Sequence, residues 1–240
     1  MSPDHDLKPS EAGDLPQGEA KVKAVRAMFD AIAPRYDLVN RVMTFGMDVG
    51  WRRATVAGLG LAPGGVVIDI AAGTGDLCRE LSASGHTPLG IDLSWEMLAH
   101  ARTGAPLVQA DALRLPLPAG SVDGATCGFA LRNLADLPLF FAELARVVRP
   151  GGRIGLLEVA EPTMPLMRRG HNLYFTKVVP LIGGWLSDAA AYRYLPRSVA
   201  YLPDPAGLVA QLREAGFSAV HRRALSGGIA QLLTATCGRR

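Results

Sequence analysis

Cysteine is scarce in this chain: Cys78, Cys127 and Cys237 are the three among 240 residues. They are odd in number, far apart and in no metal-ligand spacing. That excludes a disulfide framework and a cysteine-based metal site, and it fits free thiols in a reducing compartment. Long apolar runs are missing as well. The longest with few charges, "VVPLIGGWL" at 178–186, falls short of the roughly 20 residues that span a bilayer. An excess of one charge sign is also missing. The formal net charge is +3 and the basic residues are scattered, without the concentrated patch of a nucleic-acid binder. The N-terminal stretch "MSPDHDLKPSEAGDLPQGEA" lacks the apolar core of a secretory leader. These absences predict a cytoplasmic protein with no nucleic-acid partner and no bound metal.

What is present is material for a core. Apolar residues make up 49% of the chain, and its length suits one domain. Residues 1–20 read as a disordered tail and 21–240 as the domain. Within it, 21–58 spaces apolar residues three and four apart, as helices do, with Pro34 as a break. From Val66 the pattern alternates. Strands are predicted at 66–71, 87–92, 107–110, 122–129 and 153–159, and helices at 75–84, 94–102 and 136–148. Such alternation implies a parallel sheet with helices on both faces. A Pro- and aromatic-rich stretch with helical pieces covers 161–203. A helix then opens at Asp204 and stops at Gly216, and strands at about 219–225 and 229–236 are joined through Ser226–Gly228.

The stretch "VVIDIAAGTGDL", Val66–Leu77, is a strand that ends in small residues and opens a helix. In open α/β sheets ligands bind at that carboxyl edge. Small residues let a ligand approach the backbone, and the helix offers free N–H groups; a tight strand–helix turn alone would also use them. Two further strands end in acids. Asp92 can accept both hydroxyls of a ribose, and Asp111, or the Asp111–Ala112 backbone, can read an adenine edge. Each acid alone would pass for a helix N-cap; three acid-tipped strands in series point to an adenosine site. The turn "AAGTGD" lacks the G-x-G-x-x-G spacing that cradles a pyrophosphate, which counts against a nicotinamide-dependent reductase. Asp69, ahead of the glycines, would repel phosphate and suits a cation. S-adenosylmethionine carries cations at its amino group and its sulfonium.

With these features the sequence resembles the class I S-adenosylmethionine-dependent methyltransferases. More closely, it is similar to the quinone-biosynthesis C-methyltransferases of the demethylmenaquinone/ubiquinone family. The likeness runs from about Val25 to Gly228 and rests on "MFDAIAPRYDLVNRVMTFGMDVGWRR", "IDIAAGTGDL", "GFALRN", "VVRPGGRIGLLEVAEP", "AAAYRYLPRSV" and "LVAQLREAGF". AGTGD and RPGG mark only the superfamily; the opening segment, "GFALRN" and "YRYL" are more specific. The resemblance implies a Rossmann-like α/β fold, with a seven-stranded, mostly parallel sheet, an antiparallel last strand, N-terminal helices and a helical cover over the acceptor pocket. It implies cofactor contacts at Gly73, Thr74, Gly75, Asp92, Asp111, Ala112 and Gly128, with Tyr36 over the cofactor or in the core. Asp69 would hold the methionine amino group or brace the glycine turn. Gly128 stands where relatives often carry serine, Ala130 replaces a glycine, and Leu233 replaces a histidine of the last strand.

Methyl transfer from a sulfonium is an in-line displacement, so positioning supplies much of the rate. A ring carbon of a quinol becomes nucleophilic when its neighbouring hydroxyl ionises. Arg132 of "GFALRN" follows the fourth strand and is placed to stabilise that anion; a structural salt bridge is the alternative. His171, in the cover, is the candidate proton relay, or a structural histidine. Tyr192 and Tyr194 are expected to pack the cover, with a pocket role for their hydroxyls as the alternative, and Glu158 is expected to be structural. The segment 164–186 mixes apolar residues with Arg168, Arg169 and Lys177. It suits a pocket cover and a lipid-facing entrance for a prenylated quinol at the inner membrane face. A homodimer is compatible with the sequence and not required by it. Demethylmenaquinol is the expected substrate, with another small aromatic acceptor as the alternative.

Overall fold

The computed structural model describes residues 17–162, 164–178 and 198–238. The tail at 1–16 and the segment 179–197, with Tyr192 and Tyr194, lie outside the described residues.

The N-terminal segment forms α1 (Gly18–Ile32), a 3-10 turn at Ala33–Arg35, α2 (Tyr36–Met43) and α3 (Met47–Leu59). Pro34 sits in that turn and divides α1 from α2. The alternating part follows as β1 (Val66–Ile70), α4 (Asp76–Ala83), β2 (Thr87–Asp92), α5 (Trp95–Ala99), β3 (Leu107–Gln109), β4 (Val122–Gly128), α6 (Leu137–Val147) and β5 (Val148–Val159). After α7 (Pro165–Leu173) come α8 (Pro205–Glu214), β6 (Phe217–Leu225) and β7 (Ala230–Cys237).

The strands form one sheet in the order β3-β2-β1-β4-β5-β7-β6. β1 to β5 pair in parallel, while β7 runs antiparallel to both β5 and β6. This is the seven-stranded arrangement with a reversed last strand that the sequence implied. Parallel strands covered on both faces are apolar throughout, and β1 is buried from Val67 to Ile70. On one face Phe140, Phe141 and Leu144 of α6 and Leu208 and Leu212 of α8 pack on the sheet. On the other, Val56 and Leu59 of α3 meet Leu77 and Leu81 of α4 over Val67. Each large apolar side chain so buried contributes about 1.5–3 kcal/mol.

Helix starts follow local chemistry. Asp136, Asp204 and Ser94 each accept a backbone N–H from the first turn of α6, α8 and α5. Two boundaries of the alternating part shift by three residues or more. β5 begins at Val148 rather than 153, because the RPGG bend continues the pairing through Val148 opposite Val122. α5 ends at Ala99 rather than 102, and the following chain turns to set Thr103 against Gly75. Ser226–Gly228 joins the antiparallel β6 and β7 as expected, through a short 3-10 turn.

Candidate active site

The turn after β1 is built on left-handed backbone: Ala71 has φ 54°, Gly73 φ 55° and Gly75 φ 83°. At Gly75 a Cβ would also come within 2.7 Å of Thr103 Cγ2, so glycine is required twice over. Gly75 caps α4 and lies outside the cavity lining. Its part is the turn itself rather than a direct contact.

A cavity opens at this carboxyl edge. Its lining includes Tyr36, Asp69, Gly73, Thr74, Asp92, Asp111, Ala112 and Gly128, so the structure brings together eight of the nine residues expected around the cofactor. Asp92 Oδ2 accepts from the Gly73 N–H and its Oδ1 from the Ser94 N–H, both at 2.8 Å. Burial raises its pKa, and the Ser94, Gly73 and Leu93 N–H groups oppose that rise. A carboxylate has about four lone-pair positions, so each oxygen keeps capacity for a ligand hydroxyl. Asp111 is exposed; its Oδ1 accepts from the Leu113 N–H at 2.9 Å and shapes the turn that carries Ala112 into the cavity.

Asp69 is more deeply placed, 1% exposed at the end of β1. It accepts from Thr126 Oγ1 at 2.9 Å and from Cys78 Sγ at 3.7 Å. These bonds tie it to β4 and α4 rather than to the glycine turn. Burial pushes its pKa up to about 7, against the pull of the Thr126 and Cys78 hydrogen bonds and the Arg52 charge. The Thr74 hydroxyl donates to Asp37 of α2, and Ser94 Oγ to Asp30 of α1. The N-terminal helices are thereby fastened across the cavity. Lys21 Nζ adds a third fastening, donating to the Leu134 carbonyl at 2.7 Å and standing 3.7 Å from the centre of the Tyr201 ring.

Gly128 offers the cavity no side-chain hydroxyl. A Cβ there would meet Leu77 Cδ1 at 2.9 Å, so Leu77 occupies the space that a larger residue would need. Leu233 is fully buried in the main core and lines neither this cavity nor the larger one beside it.

A second cavity of about 360 Å³ lies beside the first. That volume is within the range of small-molecule pockets. It is walled by apolar residues such as Met28, Ile32, Met43, Trp51, Met167 and Ile229, with Arg132, His171 and Tyr174 among its polar members. Arg132 and His171, the two expected catalytic residues, therefore share one wall system, apart from the acid-tipped strands. Arg132 is 6% exposed and is not a lone charge. Its Nη1 is ion-paired with Glu158 and donates to the Phe129 carbonyl at 2.8 Å, and its Nε donates to Ser198 Oγ at 3.1 Å. The salt-bridge alternative for Arg132 and the structural expectation for Glu158 thus describe the same pair. The full field of an isolated guanidinium is not available to a substrate here.

Several site residues were not singled out in the sequence. Phe29, Tyr36 and Phe129 line both cavities; only Tyr36 was anticipated. Phe129 has φ 60°, and its carbonyl is held by Arg132 and, more weakly, by Asn133 Nδ2 at 3.5 Å. Asn133 Oδ1 is buried without a hydrogen-bond partner, and Asn133 lines the first cavity. Arg52 joins Asp48 and Asp76 in a buried ion network at the same edge. The signal for Asn133 and Phe129 was their place inside "GFALRN", and for Phe29 and Arg52 their place inside "MFDAIAPRYDLVNRVMTFGMDVGWRR".

The chain is similar to known proteins over most of its length. A "Ubiquinone/menaquinone biosynthesis C-methyltransferase UbiE" of Syntrophotalea carbinolica is 41% identical over 219 residues, covering 86% of this chain and 91% of that protein. A "Demethylmenaquinone methyltransferase" of Deinococcus radiodurans is 42% identical over 220 residues, covering 88% and 91%. Among solved structures, an S-adenosylmethionine-dependent methyltransferase of Thermotoga maritima superposes with a TM-score of 0.64 at 17% identity, over 89% of this chain and 99% of that one. At that identity the likeness shows the class I methyltransferase fold. Residues 17–236 match the model of the ubiE/COQ5 methyltransferase family, and the chain belongs to that family.

Proposed function

We propose that the protein transfers a methyl group from S-adenosylmethionine to a ring carbon of a prenylated quinol, with demethylmenaquinol as the substrate. The observation that carries this reading is the pair of adjoining cavities: one edged by acid-tipped strands, one large and apolar, with three residues in common. The names of the relatives from Deinococcus radiodurans and Roseiflexus castenholzii, both "Demethylmenaquinone methyltransferase", support the choice of quinol.

In the first cavity Asp92 receives the ribose hydroxyls, the Asp111–Ala112 turn reads the adenine, and Asp69 attracts the ammonium of the methionine end. Asn133 Oδ1 is an acceptor waiting for a cofactor donor. In the second, the quinol lies with its ionised hydroxyl toward Arg132. Nη1 and Nε of Arg132 are engaged within the protein, which leaves the Nη2 donors for the substrate oxygen. Electron density from that oxygen reaches the neighbouring ring carbon. This carbon forms the new C–C bond while the S–CH3 electron pair leaves with sulfur. The ring then loses the proton of that carbon and regains aromaticity. His171, in the same wall, is the group proposed to receive protons, since an imidazole exchanges them near neutral pH.

The mouth of the second cavity supports contact with a lipid surface. Phe45 is 75% and Leu166 82% exposed; Phe45 lines the cavity itself, and Leu166 neighbours the lining residue Met167. Arg168, Arg169 and Lys177 are exposed on the same segment, where anionic headgroups would meet them. No helix among the described residues is long and apolar enough to cross a membrane.

The test is a methyl-transfer assay with labelled S-adenosylmethionine against naphthoquinols and benzoquinols of several prenyl lengths, each reduced and oxidised. Transfer to the reduced naphthoquinol only, improving with prenyl length, is the expected result. Equal rates on oxidised acceptors, or none on any quinol, would redirect the reading to another aromatic substrate.

A further inference from the structure

The residues common to both cavities are Phe29, Tyr36 and Phe129, and all three are aromatic. Phe29 and Tyr36 pack edge to face, with centroids 6.0 Å apart and planes at 67°. Phe129 comes from the opposite side of the junction, at the end of β4, where its left-handed backbone (φ 60°) is held by Arg132 through its carbonyl. Its N–H donates to the Leu157 carbonyl at 2.7 Å. Such a conformation is strained for a non-glycine residue. Its persistence here indicates that the surroundings fix this ring in place. The carboxylates of the site, Asp69, Asp76, Asp92 and Asp111, line the first cavity only.

A methyl group passing from one cavity to the other crosses this junction, so the sulfur that carries it stands among these rings. We infer that Phe29, Tyr36 and Phe129 form an aromatic collar that binds the positively charged sulfonium by its π faces and releases the neutral thioether once the methyl has left. Aromatic faces attract a desolvated cation more strongly than they attract a neutral thioether, which keeps only the weaker sulfur–ring contact. The collar also solves a chemical problem. A carboxylate at the junction would hold the sulfonium more strongly, but it is itself a nucleophile and could take the methyl. Neutral rings attract the cation without competing for its methyl group. Burial raises the Tyr36 phenol above its ordinary range, with Arg52 and Arg132 opposing, and this keeps the hydroxyl protonated and unreactive. Arg52 stands 5.8 Å from the Phe129 ring centre, but Asp48 and Asp76 compensate its charge.

This inference rests on S-adenosylmethionine being the cofactor, and its test separates the two. Calorimetric titration of the full-length protein compares S-adenosylmethionine, S-adenosylhomocysteine and sinefungin, in which an ammonium-bearing carbon replaces the sulfonium. Wild type should prefer the two cationic ligands over S-adenosylhomocysteine. Phe29→Leu and Phe129→Leu keep apolar bulk and remove the π face. Each should weaken the cationic ligands roughly five- to tenfold, with S-adenosylhomocysteine affinity within about twofold of wild type. Tyr36→Phe, which keeps the ring, should preserve the preference, and Tyr36→Leu should lose it. Retained S-adenosylhomocysteine binding certifies that each variant is folded. Equal weakening of charged and neutral ligands would reduce the collar to packing and overturn the inference. Failure of the wild type to bind any of the three would overturn the cofactor reading instead.

Discussion

The Arg132 guanidinium and the Glu158 carboxylate meet inside the protein, the first 6% exposed and the second fully buried. Glu158 also accepts the Arg132 backbone N–H at 3.2 Å and the Val159 N–H at 2.8 Å. The pair joins the turn after β4 to the end of β5, and through the Phe129 carbonyl it reaches the junction of the two cavities. Arg132 thus serves the fold and the proposed chemistry with different nitrogens.

Removing Arg132 should cost stability as well as turnover. Arg132→Ala leaves Glu158 buried and unpaired, at a cost of about 3–5 kcal/mol. The double variant Arg132→Gln/Glu158→Gln removes both charges and should recover more than half of that loss in denaturant unfolding, while methyl transfer stays low. A double variant that is stable and fully active would remove Arg132 from the chemistry.

Asp92→Ala should weaken S-adenosylmethionine binding at least tenfold in calorimetry, because charge-assisted bonds to two ribose hydroxyls are lost. It also deprives the Gly73 and Ser94 N–H groups of their acceptor. Asp92→Asn retains one acceptor oxygen and should fall between. Unchanged affinity in a folded Asp92→Ala protein would move the ribose elsewhere.

Asp69 predicts a pH-dependent stability. Its folded pKa, pushed to about 7 by burial, lies above the ordinary 3.8. The native state therefore holds the extra proton between those values, and unfolding free energy falls as pH rises from about 4 to about 7. The full effect is on the order of 4 kcal/mol. Asp69→Asn should flatten that part of the curve, measured as urea unfolding free energy at pH 5 and pH 7.5. A variant with the wild-type slope would assign the pH dependence to other groups.

Phe45→Ser and Leu166→Ser should each reduce sedimentation with anionic vesicles, since both side chains are exposed at the mouth of the apolar cavity. Leu166→Ser should leave activity on a short soluble quinol within about twofold of wild type, whereas Phe45 lines the cavity itself and its variant is read by vesicle binding alone. Fully retained vesicle binding in the double variant would exclude this rim as the lipid contact.

The strands of the sheet were legible because each is a short apolar run between turn residues, and buried parallel strands need nothing else. The acids at their tips were legible for the same reason: a strand end lies at the ligand edge whatever its neighbours are. The cap residues Asp204 and Ser94 act within three residues along the chain. Arg132 was recognisable as important, but its pairing was not. Glu158 is 26 residues away in sequence and adjacent only because β4 and β5 lie side by side.

The sequence by itself determined the period of each element, the acid-tipped edge and the family to which those motifs belong, since all three depend on neighbouring residues. Tertiary structure alone decided which distant side chains share a space. Thr74 meets Asp37 across 37 positions, and Ser94 meets Asp30 across 64. Phe29 and Tyr36 from the N-terminal helices face Phe129 from the sheet at one junction. Such meetings arise from strand order and from helices folding back over the sheet edge. Hydrogen bonds and ring contacts act over a few ångströms, so separation along the chain carries no record of them.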